Sequence, residues 1–271
     1  MELAAGRGAA AAGCDAGPMD EPGVWLRFDE ELRFFLAPRH RRRPDVRVAS
    51  DGTSTAGHLV TSLGVPLTEV GALLAGDREV PASYRPRGGD VLDVRAVARP
   101  QRLALPQPLR FVLDVHLGTL ARRLRLVGVD TRYANDADDD ELIAQANAQD
   151  RVLLTQDRGL LRRKALRHGG YVRGARPDDQ LRDVLERFAP PLAPWTICTA
   201  CNGRLRPVPK AEVEAELKPG TRRTYQDFAR CADCGRVYWR GAHDRRLERI
   251  VAAARAAAAA VTPGRDPAPG T

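Results

Sequence analysis

Apolar and polar residues alternate through Val24-Trp25-Leu26-Arg27-Phe28, and Leu32-Arg33-Phe34-Phe35-Leu36 reads as a second strand across an acidic turn. Over residues 54–63 the pattern becomes helical, with Ser54 as N-cap, Leu59, Val60 and Leu63 on one side, and Gly64 as the stop. Alternation returns over 91–97, entered through Gly88-Gly89-Asp90. Strands, a helix and further strands predict a small α+β domain over 24–98.

A different rhythm starts at Arg110. Residues 111–115, 130–134, 151–155 and 170–173 read as strands, and 117–126, 139–148, 157–166 and 181–188 as helices, with Gly128 as a stop. Regular strand–helix alternation predicts a parallel sheet with helices on both faces over 110–190. Pro100, Pro106 and Pro108 mark a linker before this unit, and Pro190, Pro191 and Pro194 one after it. The Ala/Gly-rich residues 1–22 read as a disordered leader carrying Cys14 as a free thiol. Residues 251–271 read as a helical extension running into a loose Pro/Gly-rich tail.

The chain has 271 residues, 43% of them hydrophobic, which suffices for packed cores. The longest apolar stretch, the alanines after Arg255, is far shorter than the ~20 residues of a membrane span, and no secretory signal opens the chain. A soluble, cytoplasmic protein with no membrane partner is expected. The charge is 43 basic against 35 acidic residues, but only Lys164, Lys210 and Lys218 are lysines. So strong an arginine bias reflects base composition as much as a binding surface. Residues 191–249 hold 12 basic and 7 acidic side chains, so the excess is concentrated in the C-terminal third.

That third contains the remaining cysteines as two pairs, Cys198-Thr-Ala-Cys201 and Cys231-Ala-Asp-Cys234, separated by 29 residues. Two such knuckles, each with a turn glycine (Gly203, Gly235), suit one tetrahedral metal. Zinc fits best and a four-thiolate iron site is the alternative; a redox pair normally occurs singly, and disulfides are disfavoured in a reducing cytosol. Four thiolates leave no open position, so the metal is expected to be structural, over a ribbon spanning 195–246. Arginines including Arg236 and Arg240 alternate there with Tyr225, Phe228, Tyr238 and Trp239, a composition that suits single-stranded nucleic acid. The competing explanation makes those rings the small core of the ribbon.

In the strand–helix unit, Asp114 ends the first strand, Asp157 follows the third, and Asp138-Asp139-Asp140-Glu141 opens the helix between them. Parallel sheets gather reacting groups at the carboxyl ends of their strands. Carboxylates brought together there suit Mg²⁺ or Mn²⁺ and phosphodiester chemistry, with Thr155 as an orienting hydroxyl. For most of the 138–141 run a solvated helix N-terminus is the expected role.

The block Phe111-Val112-Leu113-Asp114-Val115-His116-Leu117-Gly118-Thr119-Leu120-Ala121-Arg122-Arg123-Leu124-Arg125-Leu126 resembles the opening of the Mut-seven C-terminal RNase family, a PIN-like domain. Asp139-Asp140-Glu141-Leu142-Ile143, Val152-Leu153-Leu154-Thr155-Gln156-Asp157-Arg158 and Cys231-x-x-Cys234-Gly235-Arg236-Val237-Tyr238-Trp239-Arg240-Gly241 continue the resemblance. Ser62-Leu63-Gly64-Val65-Pro66-Leu67-Thr68-Glu69-Val70 and Gly89-Asp90 are similar to the ubiquitin-like β-grasp module often fused to it. The chain runs on past the point where sulfur carriers of that fold end in Gly-Gly, so a docking role for a protein partner is expected of the module.

The resemblance implies a metal-dependent ribonuclease. Asp114, Asp139 and Asp157 would hold Mg or Mn, with Asp140, Glu141 and Thr155 as alternative or supporting groups. Arg122, Arg123 and Arg158, with Arg236, Tyr238, Trp239 and Arg240 of the ribbon, would contact single-stranded RNA. Two positions depart from the family pattern. Gly159 stands where PIN domains often carry a further acid, and Val115-His116 replaces the usual Gly-Met. A catalytically inactive RNA-binding or adaptor protein is the competing reading.

Overall fold

Strand β1 (Gly23–Phe28) buries Val24, Leu26 and Phe28 and exposes Trp25 and Arg27, as its alternation requires. The computed structural model describes residues 23–50, 52–239 and 244–261. The expected leader with Cys14, the tail beyond 261, and Arg240 lie outside the described residues.

The second expected strand is not formed. After β1 the chain makes a helical turn, α1 (Glu30–Arg33), and Leu32, Phe35 and Leu36 are all buried while Phe34 is exposed. Their i, i+3, i+4 spacing places them on one side of a helical turn, whereas a strand would split them across two faces. The partner of β1 is instead β2 (Asp45–Ala49). Helix α2 (Ala56–Ser62) follows, capped by Thr55 and not Ser54: the Thr55 hydroxyl accepts from the His58 amide at 3.2 Å.

Strands β3 (Val70–Ala75), β4 (Arg78–Glu79) and β5 (Val91–Ala96) complete a sheet of order β2-β1-β5-β3-β4. Its central pair, β1 and β5, is parallel and the other pairs are antiparallel, the mixed sheet of a β-grasp domain, with Leu59 and Val60 of α2 in its core.

The strand–helix unit runs β6 (Phe111–Leu113), α3 (Gly118–Leu126), β7 (Thr131–Tyr133), α4 (Asp139–Ala148), β8 (Val152–Thr155), α5 (Arg158–Leu161), β9 (Gly169–Tyr171) and α6 (Pro177–Phe188). The sheet is wholly parallel in the order β7-β6-β8-β9. Phe111, Leu113, Val152 and Leu154 face α3 and α6, while Val112 and Leu153 face α4 and α5. Helix α5 stops at Leu161, short of the expected 166. Arg158/Arg162 and Arg163/Arg167 are like charges four residues apart, which disfavour a longer helix. Gly128, at φ +86°, ends the turn after α3; a Cβ there would lie 2.0 Å from the Ala193 carbonyl oxygen.

Strands β10 (Leu205–Val208), β11 (Phe228–Cys231) and β12 (Val237–Trp239) form an antiparallel ribbon. Between β10 and β11 lie short helices α7 (Lys210–Val213) and α8 (Pro219–Thr224), and Val213, Leu217 and Phe228 make a small core. Helix α9 (Asp244–Val261) crosses the boundary expected between 246 and 251 and returns to the parallel sheet domain. Its Val251 and Ala254 are buried in the same core as Leu181, Val184 and Leu185 of α6.

The β-grasp domain is fastened along β9, one of the two edge strands of the parallel sheet. Glu69 Oε1 accepts from the Tyr171 amide at 2.8 Å, and both Glu69 oxygens accept from Arg187 Nη1 at 2.9 Å. Phe34, Phe35 and Tyr171 add ring contacts with centroids 5.2 to 5.3 Å apart.

Candidate active site and metal centre

Asp114 follows β6 and Thr155 ends β8, so both lie at the carboxyl edge of the parallel sheet. Each stands two residues after a side chain that faces α4 and α5 (Val112, Leu153), which places both on that face. The Thr155 hydroxyl, fully buried, donates to Asp114 Oδ2 at 2.6 Å and accepts from the Asp157 amide at 2.8 Å. One hydroxyl therefore joins the two acids at the strand ends. Asp114 is only 6% exposed, and among the described residues no Lys, Arg or His pairs with it. A buried carboxylate with one hydrogen bond and no cation is costly unless an ion offsets it.

Asp157 is exposed. Its Oδ1 caps α5, accepting from the Gly159 amide at 2.6 Å and the Leu160 amide at 3.4 Å, while Oδ2 has no donor among the described residues. A Cβ at Gly159 would lie 3.0 Å from that Oδ1, so the position that often carries a further acid is spent here on holding Asp157.

The acids of α4 sort by their partners. Asp138 and Glu141 form a reciprocal capping box, and Asp140 pairs with Arg163. Asp139 is exposed, and its side chain has no hydrogen bond or ion pair among the described residues. It shares the carboxyl edge with Asp114 and Asp157, because α4 follows β7. The three carboxylates do not converge tightly, however: among the described residues only the four cysteines bring ligand atoms within metal-holding range of one another. As a donor set, carboxylate oxygens with one unengaged oxygen on Asp114, one on Asp157 and both on Asp139 fit a hard divalent cation.

The basic and aromatic residues divide as well. Arg122 is exposed, Arg123 pairs with Asp178, and the Arg158 guanidinium carbon lies 4.2 Å from the Phe34 ring centroid. On the ribbon, Arg236 is exposed and Trp239 is 42% exposed. Arg122, Arg123 and Tyr238 share a groove of about 390 Å³ with Trp195 and Leu247.

The four cysteine sulfurs lie within 4.8 Å of one another, with Cys198–Cys234 at 3.8 Å and Cys201–Cys231 at 3.4 Å. A tetrahedron with Zn–S bonds of about 2.3 Å has edges of about 3.8 Å, so the quartet fits zinc. Tyr238 places its hydroxyl 2.9 Å from Cys198 Sγ and 3.5 Å from Thr199 Oγ1. Burial opposes ionisation of Cys198, yet hydrogen bonds from Tyr238 and backbone amides hold its thiol down to about 6. Cys201 is pushed up to about 12, by burial first and then by its thiol neighbours. A hydroxyl on a ligand sulfur tunes the metal, so Tyr238→Phe is expected to lower zinc affinity about 10–100-fold in a chelator competition while leaving the far-ultraviolet circular dichroism unchanged.

Several residues at these junctions have structural roles that no sequence pattern announced. The buried Arg125, at the end of α3, donates to Thr199 O at 3.2 Å and Ala200 O at 2.8 Å, seating the first knuckle. Asn202 accepts from the Thr131 amide at 2.7 Å and donates to Asp130 Oδ1 at 2.7 Å. Burial opposes ionisation of Asp130, but Arg151 and Asn202 hydrogen bonds outweigh it and hold the carboxyl below the usual range. All these contacts lie at the amino end of β7 and the carboxyl end of α3. The ribbon thus docks at the edge of the sheet opposite Asp114 and Asp157.

A β-grasp domain is thus fastened to a PIN-like parallel sheet that leads into a four-cysteine ribbon. The Mut7-C RNAse domain family matches residues 109–251, more than half of the chain, and the Mut7-C ubiquitin family matches residues 21–102. The chain belongs to the Mut7-C RNase domain family. No curated protein and no solved structure matches it. No helix among the described residues is long and apolar enough to cross a membrane.

Proposed function

We propose that the chain is a metal-dependent ribonuclease that hydrolyses RNA phosphodiester bonds at the carboxyl edge of its parallel sheet. Asp114, Asp139 and Asp157 would hold Mg²⁺ or Mn²⁺, and Cys198, Cys201, Cys231 and Cys234 a structural zinc. The observation that carries this reading is the Asp114 carboxylate, buried without a protein cation and tied through Thr155 to the Asp157 backbone. A divalent ion at these carboxylates supplies Lewis acidity for the attack of water on the phosphodiester.

The chain's own groups supply order. Thr155 fixes the rotamer of Asp114, and the Gly159 and Leu160 amides fix that of Asp157, so little reorganisation is needed when substrate arrives. Zinc enclosed by four thiolates has no open position and serves the fold.

The test is cleavage of labelled single-stranded RNA by the full chain with Mn²⁺, Mg²⁺ or EDTA. Cleavage with either ion and none in EDTA is the expected result. RNA binding without cleavage under any of these conditions would overturn the nuclease reading in favour of a binding protein.

A further inference from the structure

The ribbon and the β-grasp domain both carry arginine and aromatic residues, but they sit differently with respect to the carboxylates. The ribbon knuckle docks at the amino ends of the strands, through Arg125 and Asn202. The β-grasp domain reaches the carboxyl ends. Phe34, 38% exposed, lies under Arg158, the residue after Asp157, and 5.8 Å from the Arg173 guanidinium carbon. Arg173 also donates to the Glu31 carbonyl at 2.9 Å.

From this contact the chain runs directly into Pro38-Arg39-His40-Arg41-Arg42-Arg43-Pro44. The loop is folded back on itself: the His40 amide donates to Ala37 O at 2.8 Å and Arg41 Nε to Leu36 O at 2.9 Å. Leu36 is two residues from Phe34, at most ~7 Å of chain, so the loop is held beside the aromatic contact. Arg39, Arg41, Arg42 and Arg43 are all exposed, and among the described residues no carboxylate pairs with any of them. His40 accepts from Arg39 Nε at 3.0 Å, and burial followed by the charges of Arg39 and Arg43 pulls its pKa below the usual value. Four guanidiniums concentrated in five residues, none of them in an ion pair among the described residues, form a positive field that attracts a polyanion.

We propose that this loop is an RNA-backbone site: Arg39, Arg41, Arg42 and Arg43 take successive phosphates of a single strand, and Phe34 with Arg158 leads it onto the carboxylate edge. The β-grasp domain is then a substrate-binding module of the same enzyme, a proposal that rests on the ribonuclease reading of that edge. Phosphate recognition by arginine carries affinity and no sequence choice.

The experiment measures binding of a labelled single-stranded oligoribonucleotide to the full chain in EDTA across a salt series. It compares the wild type with Arg39→Gln/Arg42→Gln/Arg43→Gln, which keeps Arg41 to tie the loop. Each lost phosphate contact removes about 0.7 from the slope of log affinity against log salt, so the slope should flatten by about 2 and affinity should fall about tenfold or more. Replacing the same three residues by Lys should restore most of the slope, which a purely structural role would not predict.

An unchanged slope in the Gln variant overturns the proposal, and if the wild type still cleaves RNA the ribonuclease reading survives. A flattened slope in a chain that cleaves nothing sinks that reading and keeps the RNA path. Polyglutamate is titrated in parallel as an acidic-protein probe: if the wild type binds it and the Gln variant does not, while RNA binding is unchanged, the surface belongs to an acidic protein and the proposal is overturned.

Discussion

Arg187→Met is expected to destabilise the chain by about 3–5 kcal/mol, and Glu69→Leu by a similar amount, whereas the double variant should lose far less than the sum. The two side chains are 1% and 3% exposed, so each charge is out of water and depends on the other. Arg187 also donates from Nε to Gln101 Oε1 at 2.9 Å and from Nη2 to Thr68 O at 3.1 Å, while Glu69 receives the Tyr171 amide. Removing one member strands a buried charge of the other; removing both strands none. Urea unfolding of the four proteins gives the coupling. The Arg187 variant should also unfold in two separate steps, because this pair fastens the β-grasp domain to the sheet. Additive single effects below about 1 kcal/mol, with one unfolding step retained, would show that the domains are held by something else.

Asp114→Asn is expected to abolish Mn²⁺-dependent RNA cleavage, a loss of about 10³-fold or more in kcat/KM if the carboxylate contributes several kcal/mol through the ion it holds. RNA affinity should change by less than about threefold, because phosphate contacts by arginine supply it. Folding should not suffer, since the variant removes an uncompensated buried charge and keeps an oxygen for the Thr155 hydroxyl. Thr155→Val should produce a milder loss, about 10–100-fold, as expected for a group that orients a ligand without touching the metal. Single-turnover cleavage together with anisotropy measures both. A fully active Asp114→Asn variant would move the chemistry away from this edge.

The parallel sheet was legible because its strands are short, apolar and alternate with helices; α4 occupies residues 139–148 as its acidic first turn predicted. The quartet of cysteines was legible because two knuckles at that spacing have few other uses. Residues 32–36 misled because a short apolar run fits either period. Only burial of Leu32, Phe35 and Leu36 together, with Phe34 outward, separates helix from strand. Strand β2 was not anticipated, since Val46 and Val48 stand among charged residues and the strand depends on pairing with β1.

The residues that join domains were invisible for a physical reason. Glu69 and Arg187 are 118 positions apart, and Asn202 and Asp130 are 72 apart. No local pattern distinguishes such a charge or amide from a solvated one. Tyr238 is the instructive case: the alternation of Arg with aromatic residues drew attention to its ring, whereas the contact of its hydroxyl with a cysteine sulfur had no signal in the pattern. Of the acids, composition could not separate Asp139 from Asp140 and Glu141; the capping box engages Glu141 and the Arg163 pair engages Asp140, which leaves the Asp139 side chain without a partner among the described residues.

Helix α9 gives the ribbon a second attachment. The chain leaves the sheet domain after α6, builds the ribbon, and comes back to bury Val251 and Ala254 beside α6. In topological terms the ribbon is an insertion into the parallel-sheet domain and not an appendage strung from its end. A cut in the 209–227 excursion would therefore leave both halves of the ribbon anchored, by Arg125 on one side and by α9 on the other. Such a ribbon behaves as a fixed handle on the far side of the sheet, turning with the edge that carries Asp114 and Asp157 as one body.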